Sequence, residues 1–512
     1  MSGLLNNILQ HVQDDIGQNG SSKYWAVLAL GITGWVMFRI FSTGVVIQPS
    51  RGSNFPPIVQ LTRHEQFKDP INSYSRAMRE HGDIIAVKKK DKMEIVVSEK
   101  YVQKVLTDET NFSFEQGVAD AMNFEFLMEL TEGKIFKIMA DVTDQLLSKR
   151  MDTIVQQVSN VFFSRASELA QSAGKGPVDI FEHCQSTVAD AMVLLILGKG
   201  FLTRANGDAV KLAANDVAEL GGIYQNRSYF ARTFPWLWRP ITWFKVVVLR
   251  FMFGLMITLG RPIWAEMTRL VESPATYDAT VDEDVTLLAL LVRKFASEDR
   301  KLSLGDRGKI YLVLISTMFA SVHQVASTMV WVFLELALRP EYQEEIYEEI
   351  KRQMPNGPEQ LTHEALKQSA RVDSFIRETM RTKGDTFSTV RMAINNVQLG
   401  QYIIPKGYTV HPNAYLAHNA PSEAGENPTD FDGRRWLGKN KPAAMSGPGN
   451  LAWGMGRWAC LGRYFAVAEI KMMVFSLLST MRVEIVDNKY EIADLLMIAS
   501  APPIASFKLR TL

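Results

Sequence analysis

Residues 453–463 read Trp453-Gly454-Met455-Gly456-Arg457-Trp458-Ala459-Cys460-Leu461-Gly462-Arg463, and they open directly onto an apolar, helix-forming run from Tyr464 to Leu478. A cysteine just ahead of a helix has its thiolate stabilised by the N–H groups and dipole of the first turn. Glycines around it let the backbone close in on a bulky ligand. The stretch is therefore a candidate thiolate site on a glycine-rich loop. Alone, it equally describes a buried cysteine beside a capping glycine.

The order aromatic, two residues, Gly, three residues, Cys, one residue, Gly resembles the signature loop of the cytochromes P450, the haem-thiolate monooxygenases. The matching positions are Trp453, Gly456, Cys460 and Gly462, and Arg463 and Ala466 also resemble the family's fungal members. The resemblance implies that Cys460 is the axial ligand of the iron of haem b. Two positions depart from the pattern. Trp453 stands where Phe is usual, and Trp458 stands where a basic residue normally contacts a haem propionate, which leaves Arg457 next door as the candidate for that contact.

The 512-residue chain is 47% hydrophobic and 22% charged, enough to bury a large core. Its 56 basic and 55 acidic side chains leave a net charge of +1, so there is no electrostatic case for a nucleic-acid partner. Of the two cysteines, Cys184 lies in Phe181-Glu182-His183-Cys184 within an apolar helical stretch, where packing is its expected role. No disulfide framework is implied, and the chain reads as cytosol-facing.

Tyr24 to Ile47 carries a single charge, Arg39, over 24 residues, long enough for one membrane helix with Tyr24 and Trp25 at the interface. A buried helix is the alternative. The expected organisation is a polar leader over 1–23, a transmembrane anchor over 24–47, a proline-containing hinge over 48–57 and a catalytic domain over 58–512. The resemblance adds an endoplasmic reticulum membrane, with the catalytic domain facing the cytosol. A second apolar stretch, Phe234 to Leu259, is interrupted by Arg239, Pro240, Lys245 and Arg250, which argues against a full crossing. Its mixture of aromatic and basic residues fits a surface dipping into the membrane interface or a buried core segment.

Apolar residues on nearly every face from Lys309 to Arg339, without proline until Pro340, predict a long buried helix. In the resembled family this helix crosses the distal face of the haem. The family's small-small-x-acid/His-Thr-Thr pattern aligns with Ala320, Ser321, Val322, His323, Gln324 and Val325. Ala320 and Ser321 would leave room for dioxygen. Gln324 stands where a threonine usually orients a water for proton delivery, and an amide can hold water too. His323 is either a proton-handling group or a polar residue satisfied inside the helix.

Glu378-Thr379-Met380-Arg381 places an acid and a base on one helix face. With Phe431-Asp432-Gly433-Arg434-Arg435-Trp436 it resembles the family's Glu-Arg-Arg triad, here Glu378, Arg381 and Arg435, which would brace the loop before the cysteine. Thr389 to Arg391 and Gln401 to Val410 read as short strands, and the resemblance gives Arg391 a propionate contact. Asp83 to Lys89 and Met93 to Val97 read as a hairpin. The family's Trp-x-x-x-Arg helix is not recognisable between Gly133 and Arg150. The stretches Asp108 to Leu127 and Thr203 to Asn226 are expected to line an apolar pocket.

These features together imply a mainly α fold with a small β-rich portion, the cytochrome P450 fold preceded by one transmembrane helix. The implied reaction is insertion of one oxygen atom from dioxygen into a lipophilic small molecule, with a terpenoid or indole-terpenoid secondary metabolite as the class the resemblance favours. Electrons would come from an NADPH-cytochrome P450 reductase, with cytochrome b5 as a further donor. Two alternatives stay open: desaturation, rearrangement or dehydration without oxygen insertion, suggested by Gln324 and Val325 replacing two threonines, and a membrane-tethered scaffold without enzymatic activity.

Overall fold

The structure is a computed structural model that describes residues 54–512, apart from 90–91, 123–127, 129–132, 148–149, 224–227, 273–284 and 297–300. The expected anchor and most of the hinge lie outside the described residues. Helices dominate the described residues, which also form three small sheets, as the residue pattern implies.

The organising element is the 35-residue helix Leu304–Leu338, about 50 Å long at 1.5 Å per residue. Ser303 starts it, its Oγ accepting the Asp306 N–H at 3.1 Å, and the chain then runs without proline until Pro340 opens the next helix, Pro340–Gln353. Its apolar residues spread round the circumference because other helices surround it: Ile180–Leu197, Arg204–Leu220 and Arg463–Leu478 all pack on it. Trp331, Phe333 and Met329 are fully buried there, each such side chain stabilising by about 1.5–3 kcal/mol. Cys184 lies in the same core, as its apolar neighbours imply.

The largest sheet runs in the order Ile58–Val59, Ile84–Lys89, Lys92–Val97, Thr409–Pro412, Arg391–Ala393, Phe112–Ser113. The expected hairpin is present, Ile84 pairing with Val97 in antiparallel register. Arg391 pairs with Val410 across the sheet, so two segments read as separate short strands become neighbours. Gly117 is required where the Phe114–Ala121 helix crosses this strand, since a Cβ there would meet the Arg391 backbone at 2.9 Å.

The second apolar stretch is a helical rod over Pro235–Glu272, π-helical between Phe244 and Gly260, and only 25% of its most apolar window is buried. Trp236, Ile241, Leu249 and Ile257 are exposed on it. Two of the interrupting charges are neutralised: Lys245 meets Glu219 at 2.7 Å, and Arg250 pairs with Asp216. The opposite face, with Trp243, Val246, Val248 and Leu259, is buried, so the stretch is core on one side and exposed on the other.

Candidate active site: a thiol at the foot of an apolar cavity

The loop before the Arg463–Leu478 helix is held by backbone geometry that only its glycines allow. Gly456 has φ of +73°, and a Cβ there would lie 3.1 Å from the Leu106 carbonyl oxygen. The turn brings the Cys460 N–H to 2.7 Å from the Trp453 carbonyl. Trp453 is pinned in turn by its indole N–H, which donates to the Ala443 carbonyl at 2.8 Å.

The Cys460 sulfur faces a cavity of about 930 Å³ whose wall is largely apolar. It is reachable from that cavity yet lies deep in the protein, and burial pushes its thiol pKa up. The Gly462 and Arg463 N–H groups, with the Arg463 charge, pull the other way by stabilising the thiolate. Facing it from the central helix are Ala320, Ser321, Gln324 and Val325. The cysteine loop and the small-residue segment are therefore opposite walls of one space.

The loop is braced from outside by Glu378, which is fully buried. Its Oε1 accepts from Arg381 Nη2 at 2.7 Å, Arg435 Nε at 2.9 Å and the Asp432 N–H at 3.0 Å. Its Oε2 accepts from Arg381 Nε at 2.9 Å and Trp436 Nε1 at 3.0 Å. Arg435 spends its remaining donors on the carbonyls of Ala424, Glu426, Asn427 and Asp430, so the helix-borne carboxylate fixes the whole meander. Arg377 continues the bracing, donating to the Pro442 carbonyl at 2.7 Å.

Comparison with known proteins gives the same answer as this geometry: residues 49–508 match the family described as Cytochrome P450. The chain belongs to the cytochrome P450 family. It is similar to cytochrome P450 10 of Lymnaea stagnalis, 32% identical over 161 residues, which is 31% of this chain and 29% of that protein. It is similar to the cytochrome P450 monooxygenase gliF of Aspergillus fumigatus, 32% identical over 171 residues, 30% and 34% of the two chains. Pentalenene oxygenase of Streptomyces avermitilis is 30% identical over 210 residues, 41% and 44% of the chains. The first two matches thus span about a third of those relatives' length.

P450 proteins carry haem b on a cysteine thiolate, and the residues present fit that group. Cys460 supplies the sulfur donor with two amide N–H groups beside it. Arg391 supplies a buried cation: it is 1% exposed, its guanidinium donates to the Val390 and Leu106 carbonyls, at 3.2 and 3.4 Å, lies 5.0 Å over the Phe114 ring, and forms no ion pair within 4 Å among the described residues. Burial pushes its pKa down to about 10, so a carboxylate arriving beside it would be welcomed. Arg457 lines the cavity but is largely exposed and paired with Glu109 at 3.3 Å.

Some expectations need correction. His323 does not line the cavity: it is fully buried, and its Nε2 lies 2.9 Å from the Ser500 carbonyl oxygen. Burial pushes its pKa down, which suits a neutral ring donating to that carbonyl. Thr203 to Asn226 supplies none of the cavity's described lining residues. That stretch forms the outer Arg204–Leu220 helix, and the wall comes instead from Met192, Leu195 and Ile196 and from the Ile135–Leu147 helix. Trp458 stacks on Phe114 at 5.0 Å, an aromatic brace where a basic residue is usual.

Three cavity residues escaped sequence reasoning. Asp385 and Ser500 come from segments with no recognisable motif. Glu469 sits on the Arg463–Leu478 helix, fully buried, with neither carboxyl oxygen hydrogen-bonded among the described residues, and burial pushes its pKa well above the usual carboxylate range. Its only sequence signal was an acid in an otherwise apolar helix.

Proposed function

We propose that this chain is a haem-thiolate monooxygenase that inserts one oxygen atom from dioxygen into a lipophilic small molecule. The observation that carries the reading is the Cys460 sulfur, held between two amide N–H groups at the foot of a large apolar cavity. Haem, when bound, supplies the iron centre at which dioxygen is reduced and cleaved. The protein's part follows from its own residues. Cys460 donates charge through sulfur, Arg391 offers its buried cation to a propionate, and Glu378 with Arg381 and Arg435 holds the loop rigid. Leu195, Ile196 and Val325 exclude water and hold an apolar substrate. Gln324 lines the cavity, where its side-chain amide can hold a water or a substrate hydroxyl.

The apolar wall supports a carbon-rich substrate, and relatives named lanosterol 14-alpha demethylase and pentalenene oxygenase support the terpenoid or indole-terpenoid class. Electrons come from an NADPH-cytochrome P450 reductase, with cytochrome b5 as a further donor. Residues 24–47 anchor the chain in the endoplasmic reticulum membrane, where the exposed rod Pro235–Glu272 rests on the lipid surface.

The test is the carbon monoxide difference spectrum of the reduced, detergent-solubilised protein beside Cys460→Ser. A strongly red-shifted Soret band in the wild type that vanishes in the variant is expected. A folded wild type that binds no haem, or binds it with a histidine-like spectrum, overturns the reading. Incubation with reductase under labelled dioxygen then separates oxygen insertion from rearrangement or dehydration, which leave no label in the product.

A further inference from the structure

A polar chain runs into the cavity from a part of the fold remote from the cysteine loop. Asp385 Oδ1 accepts the Ala499 and Ser500 N–H groups at 2.8 and 3.3 Å, and its Oδ2 accepts the Ser500 hydroxyl at 2.8 Å. Ser500 Oγ accepts Gln324 Nε2 at 3.2 Å. Ser500 is itself fixed to the central helix, its carbonyl lying 2.9 Å from His323 Nε2 and accepting Ser327 Oγ at 3.4 Å. Trp331 Nε1 donates to the nearby Ile498 carbonyl at 2.8 Å. All three members, Asp385, Ser500 and Gln324, line the same cavity as Cys460.

The chain has a direction that chemistry imposes. An ionised carboxylate can only accept, so the single Ser500 hydroxyl proton goes to Asp385. The Ser500 oxygen then has only lone pairs for Gln324, which must present its N–H₂ end there and leave its carbonyl oxygen for the cavity. A protonated Asp385 allows every link to reverse. Its Oδ1 is held by two amides, so the proton sits on Oδ2 and donates to Ser500; Ser500 donates to Gln324, and the amide turns its N–H₂ end into the cavity. We infer that Asp385 is a positioning residue that sets, through Ser500, whether Gln324 shows an acceptor or a donor to the haem and substrate.

The surroundings let this happen near neutral pH. Burial pushes Asp385 up to about 6, with Asp494 adding to the rise. Of the other groups near it, Lys383 is paired with Glu335 at 2.9 Å. His418, beside Gly384, is pushed down by burial to about 4, so its ring is neutral while Asp385 titrates, and burial pushes His323 and His411 down too. Asp141, Asp144 and Glu469 also line the cavity, and of these Glu469, whose pKa burial raises, is the acid chosen for a control. The acceptor form predominates above about pH 6 and the donor form below it.

The inference rests on the haem-thiolate reading, and its test separates the two. The reduced holoenzyme is loaded with carbon monoxide and its C–O stretch recorded by infrared spectroscopy from pH 5 to pH 8, without substrate. A donor facing the bound gas lowers the stretching frequency, and an acceptor raises it. The wild type is expected to show two bands that exchange with a midpoint near pH 6, the lower-frequency band growing as pH falls. Asp385→Asn is expected to show the low-pH band throughout, because its amide N–H₂ donates to Ser500 as the protonated acid does. Ser500→Ala is expected to lose the pH dependence, and Glu469→Gln to keep it. A wild-type band that does not change with pH, or one whose titration survives in Asp385→Asn, overturns the inference while the thiolate Soret band stands. Absence of that Soret band overturns the haem-thiolate reading itself, and this inference with it.

Discussion

Glu378 and Arg435 are 57 residues apart in sequence, yet Arg435 Nε donates at 2.9 Å to Oε1 of the fully buried Glu378. The pair belongs to a cluster in which two carboxylate oxygens receive five donors. Removing the acid leaves two buried guanidinium groups and an indole N–H without their acceptor. Glu378→Ala is therefore expected to cost about 3–5 kcal/mol, the range for breaking a buried ion pair from one side. Urea unfolding measures the loss, and the haem content of the purified variant should fall in parallel. Unchanged stability would remove the bracing role.

The Cys460 loop depends on a backbone conformation as much as on its side chains. Gly456→Ala combines a φ of +73° with a Cβ placed 3.1 Å from Leu106 O and Thr107 Cγ2. The left-handed conformation alone costs an L-residue about 1–2 kcal/mol, and the overlap adds to it. A lower Tm and a blurred thiolate Soret band are expected, whereas Gly462→Ala, at φ of −77° and with 4.0 Å of room, should be milder.

Glu469 gives a pH prediction whose sign is fixed by burial. Its pKa is raised in the folded state, so the native protein holds that proton more tightly than the unfolded chain does. The stabilisation is complete below the ordinary glutamate pKa of about 4.3 and is lost as pH rises through the folded value. The urea midpoint of the wild type should thus fall between pH 5 and pH 8 by more than that of Glu469→Gln. Equal falls would mean that the carboxyl finds a partner in solution.

The exposed rod Pro235–Glu272 is expected to face lipid. The full-length chain in lipid nanodiscs, labelled with a polarity-sensitive dye at Ile257→Cys, should fluoresce further to the blue than the same chain labelled at Lys351→Cys on the Pro340–Gln353 helix. Matching spectra would place both positions in water and end the membrane-surface reading of this rod.

Local chemistry made much of the fold legible. The long central helix, the Glu378 helix and the Ile84–Val97 hairpin follow from apolar period, helix spacing and turn residues, which act over neighbouring residues. The cysteine loop was readable for the same reason, since its glycines and its helix junction are adjacent in the chain. His323 marks where this reasoning stopped. A histidine on a helix carries no sign of which face meets a cavity and which meets another segment, and here it meets the Ser500 carbonyl 177 residues away.

The sequence by itself determined the helices, the short strands, the thiol at its helix junction and the acid and bases that can pair across it. Tertiary structure alone decided which side chains share the cavity. Asp385, Ser500 and Gln324 come from three separate segments with no common spacing, and the pKa of Glu469 is raised because the fold removes water from its carboxyl without supplying a donor among the described residues. Hydrogen-bond direction and desolvation depend on distance in space, and a linear pattern encodes distance only along the chain.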